Sequence, residues 1–132
     1  MTQEEALIRA FAAPQRSPRY LALLESPRGR SKLLAALAHD FQLDTRYARH
    51  ISGADAAALA IERTLRELGA PDTCYCVSEN PDLDARTLPL REAVTATVGY
   101  GMGTLISCIP GVLGYYEAED RNARYLLHHA AA

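Results

Sequence analysis

Hydrophobic residues in the first half of the chain recur every three or four positions, which is the spacing of one face of an α-helix. Three such stripes precede residue 42, and each predicts a helix. They are Leu7, Ile8 and Phe11; Tyr20, Leu21 and Leu24; and Leu33, Leu34, Leu37 and Phe41. The tripeptide SPR, at 17–19 and again at 26–28, indicates two helix starts, because Ser caps a helix and Pro fits its first position.

A fourth helix is predicted within SGADAAALAIERTLRELGAP, residues 52–71. Ser52 and Asp55 resemble a capping box at its start, and Gly69 is a typical residue for its end. Glu62 and Arg66 are four residues apart, which places opposite charges side by side on the helix surface. Residues 1–70 are therefore predicted to be mainly helical.

The pattern changes after Pro71, where short β-branched and aromatic runs predict strands. These runs are TCYCVS (73–78), GTLISCI (103–109), VLGYYEAE (112–119) and ARYLLHH (123–129). One helix is predicted in this half, near 88–98. We expect a single α+β domain over 1–132, with about 3–4 N-terminal helices packed on a C-terminal antiparallel sheet of 3–4 strands within 71–132.

Residues 97–101, TVGYG, are identical to the pentapeptide that forms the selectivity filter of potassium channels. They lie in a charge-free run of 24 residues, 93–116, but this run contains five glycines and the chain has no second hydrophobic span. A filter needs membrane helices around it. We therefore expect no membrane association, and predict that Gly99 ends a helix with positive φ before the chain enters the next strand.

Composition and charge narrow the class of protein. Apolar residues make up 48% and charged residues 23% of the chain, and the net charge is −2. These values are typical of soluble globular proteins and give no overall attraction for a polyanion. The start MTQEEALIRAF lacks the basic and apolar regions of a signal peptide, and the three cysteines form no disulfide pattern. A cytoplasmic location is expected.

Three groups of residues are candidates for chemistry. Cys74, Cys76 and Cys108 could ligate zinc, but their spacing favours buried thiols, and no cofactor is expected. Glu79, Asp82 and Asp84 cluster in a polar segment after a predicted strand, and would serve a small metal-dependent hydrolase or nuclease. A basic segment, 16–32, would serve nucleic-acid binding through Arg16, Arg19, Arg28, Arg30 and Lys32, although it contains one aromatic residue and no known reading motif.

None of these groups forms a coherent catalytic set. The hypothesis that we favour is a protein that acts by macromolecular binding or regulation, with an unidentified protein or a second copy of itself as partner. Tyr115, Tyr116 and Tyr125 are the candidate interface residues, because exposed tyrosines are enriched at interfaces. The metal-dependent hydrolase and the nucleic-acid binder remain the alternatives.

Overall fold

The computed structural model describes residues 1–120 and 122–129. Its α-helices are α1 (Gln3–Phe11), α2 (Ser17–Leu23), α3 (Pro27–His39), α4 (Ala58–Glu67) and α5 (Leu90–Thr97), with one 3₁₀ turn at Gly53–Ala56. Its strands are β1 (Ala48–His50), β2 (Thr73–Ser78), β3 (Arg86–Pro89), β4 (Thr104–Ile109), β5 (Leu113–Glu117) and β6 (Arg124–His128). The described residues form one α+β unit.

The strands form one antiparallel sheet in the order β1-β6-β5-β4-β2-β3. The prediction of 3–4 strands was too low, because the sheet has six in the described part of the chain. The two missed strands are the edges, β1 and β3, of three and four residues. Strands this short carry no clear alternation, and β3 lies in a segment that reads as a polar connection.

Helices cover both faces of the sheet. Successive strand residues point to opposite faces, so Cys74 and Cys76 belong to a core shared with α4 and α5, whereas Val77 belongs to a core shared with α1, α2 and α3. Each central strand is therefore buried on both sides, and residues 113–118 are buried without interruption. This burial explains why the central strands read as continuous apolar runs.

The ends of the helices agree only partly with the sequence patterns. Ser26 caps α3 as predicted, since its Oγ accepts from the N–H of Gly29 at 3.0 Å. The helix expected from Ser52 is interrupted: a 3₁₀ turn comes first, Ala57 is extended, and α4 begins at Ala58. Ser52 makes no side-chain cap, because Gly53, at φ +61°, turns the chain away from a helical start.

The TVGYG segment follows α5, and its prediction is confirmed at Gly99. The helix ends at Thr97, and Gly99 has φ +88°. The N–H groups of Gly99 and Gly101 donate to the carboxylate of Glu117, at 3.0 and 3.4 Å. The glycine loop thus binds an anion through its backbone, as phosphate loops do, but the anion is a side chain of the same protein.

Within residues 1–120 and 122–129, no helix has the length and apolar character to cross a membrane.

Candidate functional site

The acidic residues of the 79–84 segment do not converge. Glu79 Oε1 accepts from the N–H of Gly103 at 2.9 Å, so it anchors the start of β4. Asp84 accepts from the N–H of Ser78 at 3.0 Å. Asp82 is exposed and joins neither of them. Glu79 and Asp84 thus serve separate backbone contacts, and the described residues contain no group of three His, Cys, Asp or Glu side chains that could hold a metal ion.

Arg30 explains the position of Asp84. Its guanidinium contacts Asp84 at 2.6 and 2.8 Å and Glu4 at 2.8 and 3.0 Å, so it joins α1, α3 and the segment after β2. The hydroxyl of Tyr75 donates to Glu4 at 2.6 Å. Burial would raise the pKa of Asp84, but the bonds from Arg30 and from the N–H of Ser78 hold it below its usual range. This cluster is structural.

Arg30 belongs to the candidate nucleic-acid segment, but it is paired with two carboxylates and is not open to a phosphate. The other four candidate residues are exposed, and no ion pair involves them among the residues that the structure describes. Arg16 and Arg19 lie at the start of α2, whereas Arg28 and Lys32 lie one turn apart on α3. The four charges are thus spread over two short helices.

The three cysteines are buried on the α4 and α5 side of the sheet. Burial raises the pKa of the Cys108 thiol to about 12. Interaction between the side chains of Cys74 and Cys76 raises the pKa of Cys76 and lowers that of Cys74. The raised pKa values of Cys76 and Cys108 are typical of buried thiols, which the spacing favoured.

The expectation of exposed tyrosines is wrong for Tyr115 and Tyr116. Both are buried, at 0% and 3% exposure, and their hydroxyls donate to Glu117 and to the carbonyl of Leu37. The cause is that helices cover both faces of the sheet: Tyr115 lies in the core shared with α4 and α5, and Tyr116 in the core shared with α1, α2 and α3. Tyr125 is half-buried and stacks on Tyr116.

A different region has the geometry of a binding site. It is an open groove of about 580 Å³ between the α1–α2 connection, the segment before β1 and the end of β6, and we call it the basic groove. Its polar walls are formed by Arg9, Ser17, Asp44, Arg46, Tyr47 and His129. Its apolar floor is formed by Ala10, Ala12, Pro14, Pro18 and Leu21.

Backbone hydrogen bonds fix the groove walls. The N–H of Asp44 donates to the carbonyl of Phe11 at 2.8 Å, and the N–H of Ala13 donates to that of Gln42 at 2.9 Å. These bonds tie the segment before β1 to the chain that leaves α1. On the other side, the N–H of His129 donates to the carbonyl of Val112 at 2.7 Å. The walls therefore come from three parts of the chain that only the fold brings together.

The side chains of the groove are held by one another. Asp44 is 7% exposed and accepts two bonds from the Arg46 guanidinium, at 3.0 and 2.8 Å. These bonds hold the pKa of Asp44 below its usual range, so it is ionised at neutral pH. Arg46 lies 5.0 Å from the ring centre of Tyr47, and the Tyr47 ring stacks on His129. His129 Nε2 lies 3.0 Å from the carbonyl oxygen of Ala10, so Nε2 carries the proton.

Ser17, His129 and Asp44 line the same groove, yet no hydrogen bond joins any two of them within the described residues. A nucleophile needs a base within hydrogen-bond reach. Asp44 is occupied by Arg46, and His129 Nε2 by a backbone carbonyl. The arrangement presents two guanidinium groups over an apolar floor, which suits the binding of a carboxylate that carries an apolar neighbour.

The groove continues into two further depressions. One, of about 410 Å³, shares Arg9, Ala10 and His129 with it. The other, of about 210 Å³, shares Arg46 and Tyr47 and extends along β1 to Arg49 and His128. The concave surface is therefore longer than the basic groove alone.

Charge is separated between the two ends of the sheet. β6 begins beside Glu117 and ends at the basic groove. The connections that follow α3, β2 and β5 carry seven acidic residues, of which Asp44 and Asp84 pair with arginines and the other five form no ion pair with an arginine in the described structure. These five are Asp40, Glu79, Asp82, Glu119 and Asp120. The basic groove, where Arg9 and Arg46 face the single carboxylate of Asp44, lies at the other end of β6.

Sequence reasoning missed the basic groove because its residues share no periodicity. DTRY, residues 44–47, reads as a polar connection, and the other groove residues come from positions far apart along the chain. Comparison with known proteins adds no assignment: no family model matches the chain, and no significant match was found among curated proteins or solved structures.

Proposed function

We propose that this protein acts by binding an acidic segment of a partner protein in the basic groove, as a binding or regulatory protein rather than an enzyme. The observation that supports the proposal is the composition of the groove walls. Arg9 is exposed, and Arg46 is 67% exposed in its side chain although one edge is held by Asp44. Both guanidinium groups are therefore open to carboxylates of a partner, and an apolar side chain between them would contact Leu21 and its neighbours.

The shape of the surface favours an extended segment over a small metabolite. Small-molecule sites are enclosed and bury most of their ligand. The basic groove is open, and it shares walls with the depressions on either side of it. An extended peptide of several residues can lie along such a surface and alternate acidic and apolar contacts.

The charges favour a protein segment over nucleic acid. Single-stranded nucleic acid binds through exposed aromatic rings and a continuous basic track. The Tyr47 ring already contacts His129 and Arg46, and Arg30 is paired with Glu4 and Asp84. The acidic end of the sheet would also repel a long polyanion.

The test uses labelled peptides of alternating Glu and Leu, with matched Lys–Leu and Glu–Ser peptides and short single- and double-stranded oligonucleotides. Binding is followed by fluorescence anisotropy between about 25 and about 250 mM salt, a range over which screening of exposed charges rises strongly. We expect the Glu–Leu peptide to bind, the Lys–Leu peptide not to bind, and the Glu–Ser peptide to bind more weakly because it leaves the apolar floor uncovered.

Matched variants locate the binding. Arg9→Glu should weaken the Glu–Leu complex roughly tenfold or more, because it replaces attraction by repulsion. Arg63→Glu makes the same charge change at an exposed position of α4, on the other side of the sheet, and should have little effect. Binding of the oligonucleotides alone, or equal losses in the two variants, would refute the proposal.

A further inference from the structure

We infer that Cys74 and Cys108 form a reversible cross-strand disulfide when the protein reacts with a low-molecular-weight disulfide such as oxidised glutathione, and that Cys76 remains a thiol. This thiol–disulfide site is independent of the basic groove. It lies on the opposite side of the sheet, in the core that α4 and α5 cover.

Cys74 and Cys108 lie directly beyond the last pair of the β2–β4 ladder. Cys76 pairs with Ile106 and Tyr75 with Ser107, and each cysteine is the next residue outward on its strand. β4 has a register shift against β5 between Ser107 and Ile109, so Cys108 lies at a bulge. Both side chains lie in the same core cluster, so they point to the same face.

The hydrogen-bond pattern identifies the kind of pair. The N–H of Glu79 donates to the carbonyl of Gly103, so every second pair from there, including Tyr75 with Ser107, is hydrogen-bonded. Continued outward by one residue, this alternation gives Cys74 and Cys108 a non-hydrogen-bonded position, for which a regular ladder has Cα atoms about 4.5 Å apart. The equivalent pair Ser78 and Thr104 has its hydroxyl oxygens 2.7 Å apart. Disulfides accept Cα separations of about 4.4–6.8 Å, so this position allows the bond.

The other two pairings fit less well. Cys74 and Cys76 lie two residues apart on one strand, at roughly 6.5–7 Å between Cα atoms, which is at or beyond the disulfide limit. Cys76 and Cys108 are diagonal neighbours, at roughly 7–8 Å. Of the three possible disulfides, Cys74–Cys108 has the expected Cα separation that best fits the bond.

The reaction is a two-step exchange. One protein thiolate attacks the disulfide of oxidised glutathione and forms a mixed disulfide, which releases one glutathione. The second protein thiol, on losing its proton, attacks the protein sulfur of the mixed disulfide and releases the second glutathione. The two protein thiols lose two electrons and two protons together, and one oxidised glutathione becomes two reduced ones.

Burial controls the rate of this exchange. Cys74 is 3% and Cys108 is 6% exposed, and a thiol with a pKa of about 12 forms little thiolate at neutral pH. We therefore expect oxidation to be slow in the folded protein and rapid during refolding, when both thiols are accessible. Once formed, the disulfide closes residues 74–108 into a loop and restricts the unfolded chain.

The test refolds the protein from denaturant in equal amounts of reduced and oxidised glutathione, followed by alkylation, intact mass measurement and peptide mapping. Wild type and Cys76→Ala should each lose two hydrogens and give the Cys74–Cys108 cross-link, whereas Cys108→Ala should remain reduced. The oxidised protein should melt roughly 5 °C or more above the reduced protein. Prolonged incubation of the folded protein in the same buffer should give the same product more slowly.

Three free thiols after both treatments would overturn the inference. A Cys74–Cys76 cross-link would also overturn it, because it would mean that the thiol contact, and not the strand register, selects the pair. Circular dichroism of each variant shows whether it has folded. A variant that fails to refold is tested by expressing it reduced and incubating the folded protein with oxidised glutathione.

Discussion

Replacing Glu117 by Gln tests whether the TVGYG loop depends on its buried carboxylate. Glu117 is 1% exposed. Its carboxylate accepts from the Tyr115 hydroxyl at 2.7 Å and from the N–H groups of Gly99 and Gly101 at 3.0 and 3.4 Å. It also lies 3.5 Å from Nε of Arg124, which has no hydrogen-bond partner in the described structure.

The substitution keeps the shape of the side chain and changes its hydrogen bonding. Glutamine has one oxygen acceptor and an NH₂ donor, so at least one of the donors around it loses its acceptor. An unsatisfied buried donor costs about 1–3 kcal/mol. Arg124 also loses its partner charge, and removing one member of a buried ion pair costs about 3–5 kcal/mol. Arg124 keeps a bond from Nη1 to the carbonyl of Ala56 and is 20% exposed, so its share of the cost is smaller than that of a fully buried ion pair. We therefore expect Glu117→Gln to lower the unfolding free energy by about 2–4 kcal/mol in total.

Urea unfolding followed by circular dichroism measures this loss, and Glu119→Gln is the matched control. Glu119 lies two residues further on, is 59% exposed in its side chain and pairs only with exposed His39 in the described structure. Surface pairs contribute about 0–1 kcal/mol. Hydrogen exchange at the amides of Gly99 and Gly101 should quicken in Glu117→Gln and not in Glu119→Gln. Equal unfolding free energies for the two variants would refute the reasoning.

Three further predictions concern stability. Gly99→Ala should lower the unfolding free energy by about 1 kcal/mol, because φ +88° strains any residue with a Cβ; an unchanged urea midpoint would contradict this. Gly103→Ala should lower the unfolding free energy more than Gly99→Ala does. Its Cβ would lie 2.4 Å from the backbone nitrogen of Ala38, so α3 would have to move. Hydrogen bonds from Arg91, and next from Arg66, hold the pKa of Glu62 below its usual value. The ionised Glu62 therefore stabilises the fold fully above the unfolded-state pKa of about 4.3. This stabilisation is lost as the pH falls through the lower pKa of the folded state. Unfolding free energy measured from about pH 6 to pH 2 should therefore fall less steeply in Glu62→Gln than in wild type, and identical slopes would count against this role.

Features set by neighbours along the chain were predictable. β2, β4, β5 and β6 lie where apolar runs placed them, Ser26 caps α3, and Gly99 has positive φ. In each case a few adjacent residues determine the outcome through backbone sterics or a local hydrogen bond. The pair of Glu62 and Arg66 was predictable for the same reason, and it forms at 2.9 Å.

Features set by distant neighbours were not predictable. Glu62 read as a surface residue, but it is 5% exposed because α5 brings Arg91 to its second oxygen. Asp84 read as a candidate catalytic acid, but Arg30, 54 positions earlier, neutralises it. Charge type is visible in a sequence, whereas the partner that neutralises the charge depends on which helices meet.

The sequence by itself determined an α+β protein with an antiparallel sheet and a glycine-ended helix before β4, because these follow from local periodicity and backbone conformation. Tertiary structure alone decided that helices cover both faces of the sheet, that Tyr115 and Tyr116 are buried, and that the glycine loop encloses Glu117. It also decided where the basic groove lies, because three segments with no common pattern meet there. Contacts between distant segments depend on packing, and packing is a property of the whole chain.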